Sequence, residues 1–190
     1  MEKKHIIILG GYPGSGKSTV RGILAERLGY AKFSTGDFAR GLAVDMGMTL
    51  EQFNEMVAKT KAFDEKIDAE LIRIENEENN IIVDSHLAFH FIPSGFAVYL
   101  DISLETSALR VFNDKHATVR IQSGDTMETL EEALERTKKR IQNHEERYLR
   151  HYGVDPYVRT AYDHIIDSEN HSPIEIADLI ITAYEAWLRA

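Results

Sequence analysis

Residues 6–19 read Ile-Ile-Ile-Leu-Gly-Gly-Tyr-Pro-Gly-Ser-Gly-Lys-Ser-Thr, and the rest of the chain takes its meaning from that run. Gly11, Gly16, Lys17 and Ser18 fit the pattern G-x-x-x-x-G-K-[ST] at every fixed position. Gly14, next to Pro13, opens the turn so that successive backbone N–H groups aim inward. Together with the helix N-terminus beyond it, the turn makes a site for anionic oxygen. In such a loop Gly11, Gly14, Ser15, Gly16, Lys17, Ser18 and Thr19 wrap a polyphosphate. Lys17 reaches the β- and γ-phosphates, and the Ser18 hydroxyl ligates the Mg²⁺ that bridges them. The setting agrees: four β-favouring residues come before the loop, and Val20, Ile23, Leu24 and Leu28 recur after it at the spacing of one helical face. The expected ligand is a nucleoside triphosphate, ATP with Mg²⁺.

Further along, short apolar runs at Ala31–Phe33, Ile81–Val83, Ala97–Leu100 and Ile165–Ile166 alternate with stretches long enough for helices. That alternation predicts an α/β fold, a parallel five-stranded sheet with helices on both faces and strands buried on both sides. There is no internal repeat or Pro/Gly linker, so residues 1–190 read as a single domain. Apolar content of 43% and charged content of 28% are those of a globular protein. The apolar runs fall far short of the roughly 18 residues a membrane span needs, and the first residues do not resemble a secretory signal. With no cysteine there is neither a disulfide framework nor a thiolate metal site, and a cytoplasmic location is the expectation. A net charge of −9 argues against nucleic-acid or anionic-membrane partners, which need a basic footprint. The expected partners are small nucleotides, and the chain is expected as a monomer or weak dimer.

From Thr35 to Asn79 the sequence predicts two or three helices, one opened by a Thr49/Gln52 capping box and carrying Phe53, Met56 and Val57 on one face. Another runs through Ile67, Leu71, Ile72 and Ile74. Two later strands end in carboxylates, Asp84 and Asp101, and either could hold Mg²⁺ through water. A long helix is expected from Met127 to about Tyr152, with Met127, Leu130, Leu134, Ile141 and Tyr148 near one stripe. Arg136, Arg140 and Arg147 fall within about 40° of each other on it. Those cations suit a lid over phosphates, but Glu132/Arg136 and Glu135/Lys139 are also the i,i+4 pairs of a solvated helix. Ser172-Pro173 opens a last helix packed through Ala177, Ile180, Ile181, Tyr184 and Leu188. The eight histidines show no metal-ligand spacing and read mostly as surface residues.

Ser34-Thr-Gly-Asp-Phe-Ala-Arg40 resembles the Ser-x-Gly-Asp-x-x-Arg segment of nucleoside monophosphate kinases, a superfamily of P-loop kinases. Within it the chain is most similar to the short cytidylate (CMP/dCMP) kinases. The likeness runs through Gly47-Met-Thr-Leu-Glu-Gln-Phe-Asn54, Asp64-x-x-Ile-Asp68, Asp84-Ser-His-Leu-Ala88 and Arg147-Tyr-Leu-Arg-His-Tyr-Gly-Val-Asp155, nearly the whole chain. It implies a three-layer P-loop NTPase sandwich with acceptor-binding helices at about 35–79 and a lid at about 113–140. It implies transfer of the γ-phosphoryl group of ATP to a nucleoside monophosphate, CMP or dCMP foremost. The acceptor would be held by Ser34, Gly36, Asp37, Arg40 and His86, and Mg²⁺ by Ser18 with Asp84 and Asp37. Arg110, Arg140 and Arg147 would close over the transferring group with Lys17. His86 replaces the family's acceptor-contacting Arg, Ser85 a Gly and His90 an aromatic residue, and Lys115–Asp125 is longer than the family lid. The rivals are a kinase of another small acceptor, AMP, UMP or a non-nucleotide, and a nucleotide-binding regulator. Against a GTPase switch, the chain has no Asn-Lys-x-Asp, and no Asp-x-x-Gly stands at Asp84-Ser-His-Leu.

Overall fold

The computed structural model describes residues 3–57, 62–114 and 129–190. Ile6–Gly11 forms β1, all six residues of it buried. Ile6 and Ile8 project into one apolar cluster, and Ile7 and Leu9 into another, as the two-residue period of a strand requires. Burying each such side chain stabilises the fold by roughly 1.5–3 kcal/mol, so β1 can only be a central strand. Around it lie β2 (Ala31–Ser34), β3 (Ile81–Asp84), β4 (Phe96–Asp101) and β5 (His164–Asp167), all parallel, in the order β2-β3-β1-β4-β5. The α/β fold with a five-stranded parallel sheet is as expected. Two-sided burial holds only for the inner strands: Ala31 and Lys32 of β2 and Ile165 and Asp167 of β5 are exposed, because edge strands have a neighbour on one side only.

Helix α1 (Lys17–Leu28) and helix α8 (Pro173–Arg189) cover one face through Val20, Leu24, Ile176, Ala177, Ile180 and Tyr184. Helix α8 opens on a complete Ser172/Glu175 capping box. On the other face lie α4 (Ala62–Glu77), α5 (Ala88–Phe91) and α7 (Leu130–Tyr152), contributing Ile67, Leu71, Ile74, Ala88 and Ile141. Between β2 and α4 come α2 (Thr35–Asp45) and α3 (Leu50–Val57), so the region expected to hold two or three helices holds three. The capping box of α3 is present, Thr49 N donating to Gln52 Oε1 at 2.9 Å and Gln52 N to Thr49 Oγ1 at 3.1 Å. Ile72, expected on the apolar face of α4, is exposed.

Helix α7 begins after its Thr129 N-cap; Met127 lies outside the described residues. The buried stripe of α7 is Ala133, Thr137 and Ile141, and Leu130 is exposed. Of the expected stripe, Ile141 is buried and Leu134 and Tyr148 are half-buried, so the face holds apart from Leu130, and the small residues Ala133 and Thr137 complete it. Helix α6 (Leu104–Asn113) packs along α7, and each carries buried small residues, Ser107 and Ala108 on α6 and Ala133 on α7.

Candidate functional site

The loop between β1 and α1 needs backbone conformations that only glycine adopts easily. Gly11, Gly14 and Gly16 have φ of 132°, 73° and 91°. A Cβ on Gly11 would stand 2.5 Å from the Leu100 carbonyl oxygen, and one on Gly14 2.8 Å from that of Ser107. The loop is thus clasped by β4 and α6, whose Ser107 hydroxyl donates to the Pro13 carbonyl at 2.6 Å. Gly16 caps α1 with no side-chain hydrogen bond, which leaves the first N–H groups of a twelve-residue helix to an anion. Ser15 is fully buried, while Ser18 and Thr19 are exposed on the first turn. Lys17 Nζ donates to the carbonyls of Gly11 and Tyr12 at 2.9 and 2.8 Å and to Ser15 Oγ at 3.3 Å. Burial lowers its pKa to about 8, with Arg140 adding to the shift and Asp84 opposing it.

Asp84 ends β3 in register with Ser34 and Leu9. It is buried, and burial raises its pKa against the pull of Lys17, Arg21 and Arg40. Asp101 points elsewhere: Arg159 Nη2 holds it at 2.6 Å. The two strand-end carboxylates, open alternatives from their positions alone, are therefore separated by their surroundings, and Asp84 is the one beside the loop lysine. Ser34 is the N-cap of α2, its Oγ accepting from Asp37 N at 3.3 Å, and Gly36 lies within reach of Arg40. Asp37 is gripped twice, by Arg21 Nη2 at 2.6 Å and by Arg40. Burial lifts its pKa, but the hydrogen bonds from Arg21 and Arg40 hold it below the usual carboxylate value. Its carboxylate is therefore engaged with two guanidiniums, and as a magnesium ligand it would act beside them.

The arginines expected in the lid do not act as one group. Arg110 donates to the carbonyls of Ser168 and Glu169 at 2.8 and 3.3 Å, beyond β5. Arg136 pairs with Glu132 at 2.8 Å, the solvated-helix alternative. Arg140 lies near enough to Lys17, His86 and His144 to depress the pKa of all three. Arg147 pairs with Asp64 of α4 at 3.7 Å and donates to the Tyr148 hydroxyl at 2.7 Å.

His86, after β3, meets a histidine that sequence reading had left with the surface residues. The ring of His144 lies 4.6 Å from that of His86, and its Nδ1 is 3.0 Å from the Tyr157 hydroxyl. Tyr157 in turn packs edge-on against Tyr12 of the loop at 4.9 Å. Burial holds both imidazoles well below their ordinary pKa, and Lys17, Arg140 and Arg147 push the same way. They are neutral, and among the described residues no cluster could hold a metal through His, Cys, Asp and Glu. Reading missed Arg21, Asp64's engagement, His144 and Tyr157. For His144 a signal existed, since it lies one turn from both Arg140 and Tyr148 on one helix.

The donor set suits a polyphosphate and its magnesium: inward amides, one ammonium, the exposed Ser18 hydroxyl and a buried carboxylate at Asp84.

Comparison with known proteins agrees with this geometry. The family model described as AAA domain matches residues 7–153. The cytidylate kinase of Sulfurisphaera tokodaii is 33% identical over 185 residues, covering 96% of this chain and 94% of that protein. The cytidylate kinase of Sulfolobus acidocaldarius is 32% identical over 178 residues, covering 92% and 91%. A solved shikimate kinase from Bacteroides thetaiotaomicron shares the fold with a TM-score of 0.63 over 97% of this chain and 98% of that one, at 17% identity.

Proposed function

This chain belongs to the cytidylate kinase family of P-loop kinases, and on that premise we propose that it transfers the γ-phosphoryl group of ATP to a nucleoside monophosphate, CMP or dCMP foremost. One observation carries the reading. Lys17 of the loop and the Arg21 and Arg40 that grip Asp37 all pull down the pKa of the buried Asp84 carboxylate, which supports sites for a triphosphate and for a second anion on either side of it. Relatives of similar length named cytidylate kinases support the choice of acceptor.

The acceptor's phosphate oxygen attacks the γ-phosphorus in line, the bond to the bridging oxygen breaks, and ADP and the nucleoside diphosphate leave. No protein nucleophile is needed; the chain contributes position and charge. The loop amides and Lys17 hold the β- and γ-oxygens. Arg40 presents the acceptor phosphate, a fork-shaped donor meeting a planar pair of oxygens, with Gly36 leaving room for it and Ser34 and Asp37 fixing the turn that carries it. Arg140 and Arg147 compensate charge from α7, and Arg110 closes the loop's far side against β5. Ser18, with Asp84 and Asp37 through water, would hold Mg²⁺, which neutralises charge on the phosphate oxygens. No described helix is long and apolar enough to cross a membrane, and we place the enzyme in the cytoplasm, where its nucleotides are.

The test is a panel of CMP, dCMP, UMP and AMP with ATP, read as ADP release. Turnover led by the cytidine acceptors is expected. Turnover led by another monophosphate would move the acceptor assignment, and ATP hydrolysis indifferent to every monophosphate would replace the kinase reading with a nucleotide-driven regulator.

A further inference from the structure

Two guanidiniums share the carboxylate of Asp37, and they stand in different surroundings. Arg40 Nη2, three residues further along α2, donates to Asp37 Oδ1, and the Arg40 side chain keeps 37% of its exposure. Arg21 Nη2, one turn on from Lys17 in α1, donates to the other oxygen, Oδ2, at 2.6 Å, and its side chain keeps 11%. Arg21 also acts on Asp84 at the end of β3, lowering its pKa against burial. Among the described residues Arg21 Nε has no hydrogen-bond partner, as Asp64 Oδ2 and Arg147 Nε of the pair between α4 and α7 have none. The bond to Asp37 is therefore the main compensation for the Arg21 charge.

The difference in burial decides which of the two contacts outlasts the arrival of an anion. An exposed ion pair between residues three apart contributes little, because water and salt replace either partner. A buried guanidinium that loses its carboxylate becomes an uncompensated charge, which is costly. When a phosphate reaches the cleft, Arg40 is the one able to turn to it with both arms of its fork, and Arg21 stays on Asp37. The turn has room: a Cβ on Gly36 would touch both Arg40 Nη atoms at 3.6 Å, and glycine puts none there.

We propose that Arg21 is a positioning residue for the acceptor site, holding and neutralising Asp37 so that Arg40 can leave that carboxylate for the acceptor's phosphate. This rests on the kinase reading above. With Arg21 in place, two guanidiniums and one carboxylate leave a net positive charge facing the cleft. Without it the Asp37 carboxylate has Arg40 alone as counterion, and an incoming phosphate must compete with Asp37 for the same fork. Asp37 is thus the resting partner of Arg40, and Arg21 decides how tightly that rest is kept.

The experiment is a double-mutant cycle read as KM for CMP at saturating ATP, with the unmodified protein, Arg21→Met, Asp37→Asn and the two changes together. Arg21→Met keeps an apolar stem and removes the charge. It should raise the KM for CMP by about tenfold, the worth of a hydrogen bond to a charged group, and leave that for ATP within about twofold. Asp37→Asn should lower the KM for CMP by about two- to fivefold, the worth of an exposed ion pair. In that background Arg21→Met should move it by less than about threefold, because the carboxylate that would capture Arg40 is gone. An equal rise with and without the Asp37 carboxylate overturns the assignment and leaves Arg21 as a tie between α1 and α2. A KM for CMP unmoved by Arg21→Met overturns it too, as does a matching rise for ATP. If Arg21→Met does not fold by circular dichroism, Asp37→Asn decides alone, and a KM for CMP that rises or stays level overturns the role. Absence of turnover with every monophosphate removes the kinase reading and this role with it, a result distinct from an additive cycle in an active enzyme.

Discussion

The two halves of the cleft are built in opposite ways. The loop half is nine consecutive residues, Gly11 to Thr19, and the ligand groups proposed for it are mostly backbone amides held by glycine conformations and by the clasp of β4 and α6. The other half draws single side chains from α1 (Arg21), α2 (Asp37, Arg40), α4 (Asp64), β3 and the turn after it (Asp84, His86) and α7 (Arg140, His144, Arg147). A backbone site is local and tolerates change at many side chains. A site of converging side chains depends on every element arriving in place, so its failures should be selective.

The contrast can be broken at four points. Lys17→Ala removes the one side chain the loop half cannot replace, and kcat should fall by about 10²–10³, while circular dichroism and melting stay near those of the unmodified protein. Near-normal turnover would show the loop to be a turn only. Arg40→Gln should raise the KM for the monophosphate by about 10- to 100-fold and leave that for ATP within about twofold, since it removes a charged hydrogen-bond donor from one half. An equal rise for both substrates would mean the halves are not separate.

The third point is pH. His86 and His144 are half-buried, and desolvation and the nearby cations depress their pKa values below 6.5, so the unfolded chain takes up protons first as pH falls. Their stabilising contribution is intact above about 6.5 and declines below it by about 1.4 kcal/mol per pH unit for each imidazole, until the folded-state values are reached. Urea melts at pH 7.5 and 5.5 would measure this, and the slope should flatten in a His86→Asn/His144→Asn variant. Smallest of all, Arg136→Ala should change stability by less than about 0.5 kcal/mol, because its pair with Glu132 is on the solvated face, and should leave turnover unaltered. A large loss of turnover would return Arg136 to the lid.

Legibility followed the same division. The loop, the order of strands and helices, and the caps at Thr49 and Ser172 rest on residues close together in the sequence, and all were readable. Misreadings came where small residues complete a packed face, as at Ala133, or where distant side chains met. The one local mark of His144 is its place a turn from Arg140 and Tyr148, and that does not say what covers it. Its partners, His86 and Tyr157, arrive from the turn after β3 and the segment before β5. Arg110 and Arg147 matched a family pattern by position, but their neighbours, the Ser168 carbonyl and Asp64, lie 58 and 83 residues away (168 minus 110, 147 minus 64).

By itself the sequence determined a parallel α/β sheet and the glycine-rich turn proposed to hold a polyphosphate, because hydrophobic period, glycine conformation and helix N-termini act over a few bonds. Only the tertiary structure decided which strand-end carboxylate faces Lys17, which arginines of α7 turn inward, and that a neutral histidine pair and the half-satisfied Asp64–Arg147 pair share one wall. Burial and charge coupling depend on distances through space, and the chain closes those distances only when it folds.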